Sequence, residues 1–116
     1  MPANAQARIF REEKVFIYFE PRGTPASNGH PAAGDWIVAE PRKPVSPGQT
    51  ITWQAVGTCK KLELDLPEVF ENVVVRGNTG QATIRQNAEP GLVLYEAYVN
   101  GQLAIGGSAP GVIIDP

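Results

Sequence analysis

The chain has 116 residues, enough for one hydrophobic core and too few for two domains of ordinary size. Its 10 basic and 12 acidic side chains give a net charge of -2 and are scattered without runs, so it lacks the clustered basic face that nucleic-acid binding requires. No window approaches the roughly 18 consecutive apolar residues of a membrane span, and a single Cys, Cys59, excludes an intramolecular disulfide.

The chain opens with small and polar residues, and Arg11-Glu12-Glu13-Lys14 precedes any apolar run of signal-peptide length. The expectation is therefore a cytoplasmic protein without an export signal. Residues 1–13 show no period and read as a flexible N-terminal arm, with residues 14–116 forming one domain. Residues 14–20 alternate, with Val15, Ile17 and Phe19 on one face, which predicts a strand. Pro21, Gly23, Pro25, Gly29, Pro31 and Gly34 then break the pattern, so residues 21–34 read as a long Pro/Gly loop.

Residues 36–39 form a short apolar run suited to a sheet edge, confined by Pro41, Pro44 and Pro47. A turn is expected at Val45-Ser46-Pro47-Gly48. Residues 50–56 place Ile51, Trp53 and Ala55 on one face of a strand, and Leu62, Leu64 and Leu66 alternate with charged residues in the next. Pro67-Glu68-Val69-Phe70-Glu71 carries the pattern of a single helical turn. Residues 72–76 and 82–86 bracket Gly77-Asn78-Thr79-Gly80 as a hairpin.

Residues 92–100 are apolar or aromatic except for Glu96, and Asn100-Gly101 is a strong two-residue hairpin signal. That turn pairs Val99 with Gln102, Tyr98 with Leu103, Ala97 with Ala104 and Glu96 with Ile105. One face then carries Val93, Tyr95, Ala97, Val99 and Ala104. The other carries Leu92, Leu94, Tyr98, Leu103 and Ile105, too apolar for a solvated side. After Gly106-Gly107-Ser108 and Pro110-Gly111, residues 112–114 supply a last strand. Seven or eight short strands at this spacing predict an all-β fold, an antiparallel β-sandwich or a barrel.

Two stretches carry a resemblance. Val45-Ser46-Pro47-Gly48-Gln49-Thr50-Ile51-Thr52-Trp53 resembles the cupredoxin segment in which a Pro-Gly turn leads into a strand ending in an aromatic residue. Pro90-Gly91, Tyr95-Glu96-Ala97-Tyr98 and Gly111-Val112-Ile113-Ile114 are similar to that family's last two strands. Together these cover about half the chain and imply a cupredoxin-like sandwich. A blue-copper site needs two His, a Cys thiolate and usually an axial Met. Here there is one His, one Cys and only the initiator Met, with no Cys, His or Met in residues 97–111. The resemblance therefore implies a copper-less relative. The paired-Cys and Trp signature of immunoglobulin domains, the other sandwich considered, is missing.

No catalytic or cofactor motif is present, so no catalytic residue, metal or cofactor is assigned. Ser46 and Ser108 lack a G-x-S-x-G elbow, and Gly106-Gly107-Ser108 lacks the Lys and helix of a phosphate loop. Lys60 and Lys61 beside Cys59 favour a thiolate, but an unreactive thiol in an ordinary strand is the plainer reading. Two functions remain. The favoured one is a non-catalytic interaction or assembly module that self-associates as a homo-oligomer through Leu94, Tyr98, Leu103 and Ile105. The alternative is a small-ligand or metal site in the end loops at His30, Asp35 and Trp36, where a solvated loop His is the plainer reading.

Overall fold

The computed structural model describes residues 13–22 and 33–116. Among them the chain is all-β, with eleven strands and no helix. In order these are β1 (Glu13–Pro21), β2 (Gly34–Val38), β3 (Arg42–Val45), β4 (Thr50–Val56), β5 (Leu62–Asp65), β6 (Phe70–Arg76), β7 (Thr79–Ile84), β8 (Gly91–Leu94), β9 (Glu96–Val99), β10 (Gln102–Leu103) and β11 (Gly111–Ile114). They form one five-stranded sheet, β2-β1-β4-β7-β6, and two three-stranded sheets, β10-β9-β5 and β3-β11-β8. One apolar core joins all three.

The period-2 pattern explains the larger sheet. In β4, Ile51, Trp53 and Ala55 are fully buried, while Thr50 on the other face meets Thr83 of β7 across the strands at 3.1 Å. Val15 and Ile17 of β1 and Ala82 and Ile84 of β7 complete the buried layer. The ends of the Pro/Gly stretch belong to strands, because β1 and β2 pair antiparallel as far as Pro21 with Gly34. At Gly34 a Cβ would stand 2.4 Å from the Glu20 carbonyl oxygen, so only glycine admits this approach. Residues 23–32, and with them His30, lie outside the described residues, as do residues 1–12 of the expected arm.

Several expectations are corrected. The sheets are mixed: β1 runs parallel to β4 and β3 parallel to β11. The count of strands is eleven against the expected seven or eight, partly because residues 42–45 form β3 despite Pro44. That proline is tolerated because β3 lies at a sheet edge. The expected helical turn at residues 67–71 is instead a turn into β6. Phe70 pairs with Ile84 and is buried, and its ring lies 5.9 Å from Trp53. One isolated helical turn cannot offset its nucleation cost against that burial. The β6–β7 turn is tighter than expected, since Arg76 pairs directly with Thr79 around Gly77-Asn78. A bulge at Asn72, where φ is 55°, shifts the register between Glu71 and Val74.

The apolar run at residues 92–99 does not form a single strand. It breaks at Tyr95, whose N–H donates to the Pro110 carbonyl and whose ring is buried edge-on against Trp53 at 5.3 Å. β8 pairs with β11, whereas β9 pairs with β5 and β10. The Asn100-Gly101 turn forms as expected, with positive φ at both residues and Val99 and Tyr98 facing Gln102 and Leu103. Ala104 still donates to Ala97, but Ile105 leaves the hairpin, so the expected Glu96–Ile105 pair does not form. The backbone of Ile105 instead bonds to Trp36 and Val38 of β2, satisfying groups that this edge strand would otherwise expose.

Candidate interaction face

On the hairpin's inner side Tyr95, Ala97, Val99 and Ala104 are buried, with Val93 packed half-buried against them. Alternation therefore sends Leu92 and Leu94 outward from β8, and Tyr98 and Leu103 stand side by side outward from β9 and β10. Leu92, Leu94, Leu103 and Ile105 are each 43–50% exposed. Ile113, directly opposite Leu92 in the β8–β11 register, extends the face and is also exposed. Scattered exposed aliphatics are ordinary, but these five are continuous across two small sheets.

Within this face lies an open groove of about 630 Å³. Leu94, Leu103, Ile105 and Pro110 line it, with Asp65 and Glu96 contributing carboxylates. Asp65 and Glu96 are direct cross-strand partners, and Glu63 faces Tyr98 two pairs further along, on the same side of the sheet. The Tyr98 hydroxyl donates to Glu96 Oε1 at 2.9 Å. That hydrogen bond, burial and the negative charges of Glu96, Asp65 and Glu63 hold the phenol above its usual pKa. Of these acids only Glu63 has an ion-pair partner among the described residues, Lys61 at 3.8 Å.

Of the interface candidates Leu94, Tyr98, Leu103 and Ile105, the structure brings Leu94, Leu103 and Ile105 together around one groove and sets Tyr98 beside Leu103 across β9 and β10. Sequence reasoning omitted Ile113, whose outward position follows from the buried Val112 and Ile114 that flank it. The proposed loop ligands are differently disposed. Asp35 forms an ion pair with Arg22 at 3.3 Å. Trp36 is buried, with its ring 5.4 Å from Phe19. Neighbours on β2 point to opposite sides, so Asp35 and Trp36 do not converge. A second apolar patch covers the outer side of the large sheet, where Tyr18 stands between Ile37 and Val56, with Phe16 beside it.

Other reactive groups serve structure. Burial raises the Cys59 thiol pKa, only partly opposed by the backbone N–H of Lys61, which agrees with an inert thiol. Ser46 donates to Asp115 at 2.6 Å and ties the β3–β4 turn to the C-terminal segment. Among the described residues no three His, Cys, Asp or Glu side chains are grouped to hold a metal ion. No described helix is long and apolar enough to cross a membrane. A scan against protein-family models matches none, and a search of curated proteins finds no significant match.

Proposed function

We propose that this protein is a non-catalytic, cupredoxin-like β-sandwich that acts as an interaction or assembly module and self-associates through the outer face of its C-terminal strands. The observation that carries this reading is the exposed row Leu92, Leu94, Leu103, Ile105 and Ile113. Covering it would gain roughly 25 cal/mol for each Å² of apolar surface removed from water. Sandwich architecture is supported by the five-stranded sheet lying across one core from two smaller sheets. The resemblance of residues 45–53 and of the last strands supports a copper-less relative of that family.

The competing reading, a ligand or metal site at His30, Asp35 and Trp36, has less support, because Trp36 is packed in the core and Asp35 already has a cationic partner. Light scattering over a concentration series tests the preferred reading. The wild-type chain is expected to gain mass with concentration, and Leu103→Glu to remain monomeric with an unchanged denaturation midpoint. A wild-type chain that is monomeric throughout, or a folded Leu103→Glu chain that associates normally, overturns it.

A further inference from the structure

The groove's charge is one-sided. Asp65 and Glu96 oppose each other directly across β5 and β9, and among the described residues no Lys or Arg lines the groove. Like charges so placed repel and weaken the pair unless a cation is brought against them. A well-matched occupant therefore carries apolar side chains for Leu94, Leu103 and Ile105, with positive charge on either side. In this chain Arg8-Ile9-Phe10-Arg11 has that pattern, within the twelve residues that precede β1.

The geometry points to this groove as the docking site for Arg8-Ile9-Phe10-Arg11 of a second copy. Ile9 and Phe10 lie on Leu94, Leu103 and Ile105, and Arg8 and Arg11 meet Asp65 and Glu96, where planar guanidinium groups suit carboxylates. The inference rests on the self-association proposed above and names what fills the face. A chain's own arm is poorly placed to do so. The Glu13 carboxylate is held 3.0 Å from Lys43 on β3, and β11 separates β3 from β8. Two strand spacings are about 10 Å, and the three residues from Glu13 back to Phe10 span only about 10 Å when fully extended. Leu103 lies beyond, in another sheet. Reciprocal exchange of arms closes two copies into a two-fold dimer.

Cross-linking in the full-length chain tests this. With Cys59→Ser as background, Phe10→Cys and Leu103→Cys are combined and mildly oxidised. The expected product is a disulfide-linked dimer in which peptide mapping joins position 10 of one copy to position 103 of the other. Replacing Leu103→Cys with Val74→Cys, exposed on β6 of the large sheet, should abolish that linkage. A linkage within one chain, one joining the two 103 positions, or equal yield at position 74 overturns the inference. Charge reversal supplies a second readout. Arg8→Glu with Arg11→Glu should weaken association at least tenfold, and adding Asp65→Lys with Glu96→Lys should restore it. If the arm variant associates like wild type while Leu103→Glu is monomeric, the arm is excluded and the self-association reading stands. If the wild-type chain is itself monomeric, that reading falls.

Discussion

Asn100 clamps the backbone at Lys60. Its Oδ1 accepts from the Lys60 and Lys61 N–H groups at 2.7 and 3.1 Å, and its Nδ2 donates to the Thr58 carbonyl at 3.0 Å. The residue that turns β9 into β10 thus also secures the link entering β5, while its own backbone holds φ at 53°. Asn100→Gly keeps the turn conformation and loses the clamp. Asn100→Ala loses both.

For three exposed hydrogen bonds each worth about 0.5–1.5 kcal/mol net, the glycine variant should lose about 1.5–4.5 kcal/mol. The alanine variant should lose about 1 kcal/mol more, because Cβ crowds the left-handed conformation. Urea denaturation of both chains checks the order. A glycine variant as stable as wild type would show that the clamp contributes nothing.

Trp53 supplies the second prediction. It is fully buried on β4 and meets Phe70 from β6 of the same sheet and Tyr95 from the break between β8 and β9, so it packs the five-stranded sheet against the link between the two smaller ones. Trp53→Ala should cost about 3–5 kcal/mol. A shift of the denaturation midpoint corresponding to less than about 1 kcal/mol would mean that the cluster collapses to fill the space.

Local sequence pattern alone makes part of this architecture readable. The alternation of Ile51, Trp53 and Ala55 marked β4, and Asn100-Gly101 marked the hairpin because few residues accept its positive φ. The outward apolar residues of the candidate face followed from the same alternation. Pairing partners were less legible. Nothing local to β1 indicates that its parallel neighbour is β4, since that contact closes only after the chain has laid down β2 on the other side of β1 and left the sheet for β3. The break at Tyr95 was hidden because an unbroken apolar run looks the same whether it keeps one partner or changes sheets. Pro44 masked β3, as an edge position removes the penalty that proline imposes elsewhere. The groove's paired carboxylates depended on the β5–β9 register, which joins residues about thirty positions apart.

A third prediction concerns metal. The Cys59 thiol is raised in pKa by burial, and among the described residues it belongs to no group of three metal-ligating side chains. Copper(II) loading of the full-length chain should therefore produce no intense visible thiolate–copper absorption. An intense band that disappears in Cys59→Ala would show a copper site and overturn the copper-less reading.

Tyr95 yields the last prediction, which concerns its hydroxyl. Burial holds its pKa above the usual value, opposed in part by the Trp53 indole N–H, and neither polar atom has a partner at hydrogen-bond geometry among the described residues. Removing an unsatisfied buried hydroxyl relieves a desolvation cost, so Tyr95→Phe should match or exceed wild-type stability at pH 7, by up to about 1 kcal/mol. The alkaline limb separates this from a simple packing effect. A phenol with a raised folded pKa binds more protons in the folded than in the unfolded chain once pH exceeds the unfolded value of about 10. Its contribution is fully present below that pH and is lost as pH rises through the folded pKa. Tyr95→Phe lacks this loss, whereas Lys43 and Tyr98, whose pKa values are also raised, titrate in both chains. The variant's advantage should therefore widen between pH 9 and pH 11 in urea titrations. A wild-type chain more stable by 1 kcal/mol at pH 7 would show that the hydroxyl is satisfied. A gap constant with pH would show that Tyr95 does not titrate differently on folding.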